Sequence, residues 1–116
     1  MTYRSFDIVV VTFPFTDQNT EKRRPALVLS NLDNFNDLTE TCVLAMITSE
    51  KNPDWPLDAR IGSLKKTGLP APSKVRMKLF TLDSRFIIKK IGALTSKDQK
   101  TVKESIQKLM PFSCAK

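Results

Sequence analysis

Arg24 sits directly before Pro25, at the end of the cationic run Lys22-Arg23-Arg24. A residue before proline is steered away from the helical region, so Arg24 is expected to be extended. A guanidinium on so stiff a backbone can grip a phosphate through two parallel N–H donors. A second cationic set, Lys74, Arg76 and Lys78, recurs at every other residue. On a strand that spacing aims all three at one face, about 7 Å apart, where they repel unless wet or bound to an anion. Thr48 and Ser49 end an apolar run and put hydroxyls where a ligand could be hydrogen-bonded. Phe15 and Thr16 lie in the first loop, and an exposed aromatic beside cations can stack on a base. Each feature also has an ordinary reading: solvated charges, strand-ending hydroxyls, an aromatic tucked into the core.

The charge balance favours an anionic partner. The 116-residue chain carries a formal net charge of +7. Between Arg60 and Lys90 there are nine cations and one carboxylate, Asp83, whereas the rest holds ten cations and eleven carboxylates. All the excess therefore lies in one segment, the footprint expected for a polyanion partner. The chain has no histidine, which excludes imidazole bases and histidine metal sites. Cys42 and Cys114 are two distant thiols, neither a disulfide framework nor a metal site. Any catalysis must be metal-free or carboxylate-bound. No cofactor is expected.

These residues need a scaffold. With 41% hydrophobic residues and no low-complexity tract, the sequence reads as one folded domain over 1–116. The longest apolar runs, about six residues, are too short to span a membrane, and the N-terminus has no signal-peptide core. A soluble, cytoplasmic protein is expected. Strands are read at Asp7–Phe13, Pro25–Ser30, Thr41–Ser49 and Ser73–Asp83, with a short one around Leu57–Ile61. Lys22 and Arg23 fall in the preceding loop, and RFIIKKIG, 85–92, is a strand or a helical turn. Ser96 followed by Gln99 is a capping-box pattern, and Val102, Ile106, Leu109 and Met110 recur at helical spacing until Pro111. That marks a helix over about 96–110. Strands without intervening helices cannot make right-handed parallel crossovers. The expected fold is mainly β: a small antiparallel SH3-like barrel or curled sheet with a C-terminal helix.

Taken in order, DIVVVTFPFTD, KRRPALVLS, CVLAMITS and SKVRMKLFTLD resemble the PemK/MazF family of toxin endoribonucleases, over about Asp7 to Met110. The most specific part is FPFTD followed by KRRPALVLS. The resemblance implies a growth-inhibiting toxin of a toxin–antitoxin module, a homodimer that cleaves single-stranded RNA at short sequences without metal. It also implies an antitoxin partner in the same groove. Arg24 matches the family's catalytic Arg before Pro, and Thr48 its catalytic Thr at the end of the third strand. Arg76 matches an Arg that some members use on the later strand. Phe15, Thr16, Lys22, Arg23, Ser49, Lys74 and Lys78 are the expected RNA contacts around them. In some members an acidic residue follows the later Arg by two positions; here that position is Lys78, which shifts the work onto Arg24 and Thr48.

RNA carries its own nucleophile. Attack of a 2′-OH on the adjacent phosphate leaves a 2′,3′-cyclic phosphate and a 5′-OH end, and Arg donors stabilise the charge that develops. A lysine, an arginine, Asp17 or a water held by Thr48 could take the proton. Two other readings fit the same residues: a non-catalytic nucleic-acid-binding barrel, and an interaction module for an acidic peptide.

Overall fold

The computed structural model describes residues 3–13 and 22–112. Six strands form one sheet: β1 (Asp7–Phe13), β2 (Lys22–Val28), β3 (Thr41–Ser49), β4 (Ala59–Arg60), β5 (Ser73–Asp83) and β6 (Ile87–Ala93). Their order across the sheet is β4-β5-β3-β2-β1-β6, and every pair is antiparallel. β4 and β6 are the two edges, so among the described residues the sheet is open rather than a closed barrel. Short helical turns at Leu32–Asn36 and Asp37–Thr39 join β2 to β3, and a helix over Ser96–Leu109 follows β6. Residues 84–93 supply both structures that the sequence left open, a one-turn 3-10 helix at Ser84–Phe86 and then β6.

The central strands are covered on both sides, which is why they read as continuous apolar runs. Ile8 faces Leu27 across the β1–β2 ladder, and both belong to a core shared with Ile47, Val75 and Val102. Their chain neighbours Val9, Ala26 and Val28 belong to a second core with Leu44 and Ile87. Successive strand residues point to opposite faces, so the two cores lie on opposite sides of the sheet. Each fully buried Ile, Leu or Val contributes about 1.5–3 kcal/mol. The C-terminal helix covers the first face through Val102 and Ile106, which leaves the other face of the β5 end of the sheet to the site.

Three expectations are corrected. β2 begins at Lys22, not Pro25, because the ladder with β1 continues through Arg24, Arg23 and Lys22. Pro25 tolerates this position because the ladder to β3 starts only at Ala26, so no donor is missed on that side. The helix N-cap is Thr95 rather than Ser96: its side chain accepts the Asp98 N–H at 3.3 Å. Asp98 then ties the helix to the preceding loop, accepting the Gly62 and Ser63 N–H groups at 2.9 and 3.1 Å. Leu109 and Met110 continue the helical spacing but are exposed.

Candidate active site on the β2–β3–β5 face

Register decides which side chains share a face. Ala26 faces Met46, and Met46 faces Arg76; Thr48 faces Lys74. Carrying the Ala26–Met46 register two residues further sets Arg24 across from Thr48, although the ladder itself stops at Ala26. Alternation therefore places Arg24, Thr48, Lys74 and Arg76 on the same face, opposite the helix. Arg24 is exposed there. Arg23 is exposed too, but it pairs with Thr12 and so projects from the other face. Lys22 pairs with Phe13 at the end of the ladder. Ser49 is exposed and alternates away from Thr48; its Oγ accepts the Lys51 N–H at 3.1 Å. Phe15, Thr16 and Asp17 lie outside the described residues.

The cationic stripe of β5 is not the wet, unpaired row that its spacing suggested. Lys74 has a side chain only 1% exposed. Its Nζ donates to the Asn52 carbonyl at 2.8 Å and to Asp54 Oδ1 at 2.9 Å, and lies 3.5 Å from Asp58 Oδ2. Arg76, with a 16% exposed side chain, grips Asp58 with two donors: Nε to Oδ1 at 3.3 Å and Nη2 to Oδ2 at 3.1 Å. Nη2 also donates to the Pro53 carbonyl at 2.7 Å. What offsets these charges is thus not the one carboxylate of their own segment, Asp83, but two from outside it. The carboxylates come from the loop between β3 and β4, which folds back onto β5. Only Lys78 of the three remains exposed. The β3–β5 register jumps there, from Ala45–Leu79 to Met46–Arg76, so Met77 and Lys78 have no residue opposite.

Asp58 is the hub of this loop. Its side chain is 7% exposed, and besides Arg76 and Lys74 it accepts the Trp55 N–H at 2.9 Å. Burial alone would raise its carboxyl, but the Arg76 hydrogen bond, the Trp55 N–H and the two cationic charges outweigh that and hold it below the usual carboxylate range. The Asp54 carboxyl is likewise held low, chiefly by its hydrogen bond from Lys74. The loop is joined to β3 as well, since Asn52 Nδ2 donates to Thr48 Oγ1. Trp55 completes the cluster: its ring centroid is 5.5 Å from the Arg76 guanidinium carbon and 5.4 Å from Lys78 Nζ.

Chemically, the face presents an extended Arg24, a strand-end hydroxyl at Thr48 and a second guanidinium locked in place. Three of the five Arg76 N–H donors are used by Asp58 and Pro53; the Nη1 edge makes no protein hydrogen bond among the described residues. Sequence reasoning missed Asp54, Trp55 and Asp58. The signal was an aromatic between prolines with a carboxylate on each side, in NPDWPLD, but only the folded loop brings it to β5.

The fold is shared with solved toxins. A MazE–MazF structure from Deinococcus radiodurans superposes with a TM-score of 0.77 at 20% identity, over 96% of this chain and 98% of that one. An endoribonuclease in complex with its cognate antitoxin, from a mycobacterial species, gives 0.74 at 14% identity, over 95% and 94%. The Mycobacterium tuberculosis toxin MazF-mt6 gives 0.69 at 19%, over 90% and 96%. No curated protein matches in sequence. The model of the PemK-like, MazF-like toxins of type II toxin–antitoxin systems matches residues 4–110, nearly the whole chain, and the chain belongs to that family.

Proposed function

We propose that this toxin is a metal-independent, sequence-selective endoribonuclease that cleaves single-stranded RNA through the substrate's own 2′-OH. One observation carries the reading: strand register puts Arg24, Thr48 and Arg76 on one sheet face of a chain that belongs to a toxin family. In the proposed reaction the 2′-oxygen attacks the adjacent phosphorus, a new O–P bond forms and the bond to the 5′-oxygen breaks. The products are a 2′,3′-cyclic phosphate and a 5′-hydroxyl. Arg24 and the Nη1 edge of Arg76 donate to the non-bridging oxygens as charge develops there, and Thr48 aligns the phosphate. One such donor is worth roughly 2.7–4 kcal/mol of barrier. Asp58 is a poor proton acceptor in this scheme, since its carboxyl is held low and its lone pairs are engaged. Its role is to fix Arg76.

Single-stranded RNA, a cognate antitoxin and a second copy of the chain are the proposed partners, in the cytoplasm. Among the described residues no helix is long and apolar enough to cross a membrane. Lys78 is exposed on the site face and adds an RNA contact there; Arg23 and Ser49 are exposed but alternate to the other face, and Phe15, Thr16 and Lys22 are proposed from the motif alone. Lys74 drops out of that set, because it is buried and neutralised. The test is incubation of a long single-stranded RNA with purified protein in excess EDTA. Cleavage by the wild type, lost by at least about 100-fold in Arg24→Ala, is expected; undiminished cleavage by that variant would overturn the assignment. A second reading, binding without cleavage, is favoured by one observation: Asp58 and Pro53 already occupy most of the donors of Arg76. It predicts RNA binding and intact RNA in the same assay.

A further inference from the structure

We infer that the outer face of the Trp55 ring is a nucleobase subsite, which stacks the base flanking the phosphate gripped at Arg76. The inference rests on the RNA reading above and adds to it a residue and a contact that the motif does not contain. Among the described residues, Trp55 is one of few large apolar side chains left exposed, at 43%. Its backbone is held in place by main-chain hydrogen bonds. Its N–H donates to Asp58 Oδ2 at 2.9 Å, and its carbonyl accepts the Asp58 N–H at 3.1 Å. Pro53 and Pro56 flank it. A ring on a tethered backbone, lying against two cations, has less entropy to lose when a ligand stacks on it than one on a free loop.

The charges beneath the ring say what kind of ligand fits. Arg76 and Lys78 rise from the same face of β5, two residues apart, and both reach the ring, with the guanidinium carbon and the ammonium each within 5.5 Å of its centroid. Both cations come from β5, and the outer face is the ring surface that the 43% exposure of Trp55 leaves to solvent. A nucleotide has a planar aromatic base and an anionic phosphate on each side of it. A base on the outer face would bring those phosphates toward Lys78 and the Nη1 edge of Arg76. An apolar protein side chain would use the ring but bring no anion to Lys78 or to the Nη1 edge of Arg76. Base–aromatic stacking is sequence-tolerant, because every base has a π-face; this subsite therefore contributes affinity and alignment rather than base selection.

Trp55 is the single tryptophan of the chain, so its emission reports this site alone. The probe is a short single-stranded RNA of mixed sequence with 2′-O-methyl riboses, which has no nucleophile and stays intact. Titration at near-physiological salt should quench the tryptophan emission, with the same midpoint as binding followed by anisotropy of a labelled copy. Trp55→Leu should weaken binding by about 5- to 150-fold, and Trp55→Phe should recover most of it. Anisotropy-detected binding with unchanged emission, or equal affinity for Trp55→Leu and wild type, overturns the subsite and leaves the ribonuclease reading standing. Failure of wild type to bind the RNA at all overturns both, and quenching only by an acidic peptide assigns the ring to a protein partner instead.

Discussion

Replacing Asp58 with Asn removes one charge from the hub that holds Arg76 and Lys74. The substitution keeps the size of the side chain and one acceptor oxygen. It loses the second carboxylate oxygen, which receives either the 3.3 Å bond from Nε or the 3.1 Å bond from Nη2 of Arg76. Hydrogen bonds to charged groups are worth about 1.5–3 kcal/mol each. Removing one member of a fully buried pair costs about 3–5 kcal/mol. The cost here is smaller, because Arg76 reaches solvent at one edge and Lys74 keeps Asp54 and the Asn52 carbonyl. We expect Asp58→Asn to lose about 2 kcal/mol at pH 7 by urea unfolding, and roughly 6–12 °C in Tm at about 3–6 °C per kcal/mol for a chain of this size. The pH dependence has a fixed sign. The Asp58 carboxyl is held below its unfolded value, so its contribution is complete above the ordinary Asp pKa of about 3.9. It is lost as pH falls through the folded value. The gap between wild type and variant should therefore shrink as pH is lowered from 7 to about 3. A gap of the same size across that range, or no gap at neutral pH, would refute the argument that charge on Asp58 organises the loop.

The other predictions concern charge and capping. Lys78→Gln should reduce the log–log salt slope of RNA binding by about 0.7, because Lys78 is the exposed cation of the stripe, whereas Lys74→Met should leave the slope unchanged. Equal changes for the two would restore the three-cation face. Thr95→Ala should cost about 1 kcal/mol of stability and Ser96→Ala less than about 0.5, measured by denaturant unfolding. The reverse order would move the cap back to Ser96.

What the sequence carried was pattern, and what it lacked was tertiary partnership. The runs at Asp7–Phe13 and Thr41–Ser49 gave two strands with their bounds intact, because a core on each face demands an unbroken apolar run. Alternation in Ser73–Asp83 sorted Val75 and Met77 from Lys74, Arg76 and Lys78 correctly. It could not show that Lys74 is buried, since its partners Asn52, Asp54 and Asp58 lie about twenty residues earlier in what read only as a proline-containing loop. The start of β2 was hidden for a similar reason. Pro25 is a natural first strand residue, and only the partner strand shows that the ladder runs past it to Lys22. The cap was misplaced by one residue, because Thr95 and Ser96 are both good N-caps and the deciding acceptor role belongs to a side-chain geometry. At Arg24 and Thr48 the motif named the residues, and only the β2–β3 register, carried two residues past its last pair, sets them across from each other.

The central claim is that one sheet face cleaves RNA with Arg24 at the phosphate. Mapping the ends left on a single long RNA, digested in EDTA, tests it most directly. The account predicts 2′,3′-cyclic phosphate and 5′-hydroxyl ends at a repeated short sequence, absent when Arg24→Ala replaces the wild type. Ends bearing a 5′-phosphate, or the same cuts made by Arg24→Ala, would contradict it.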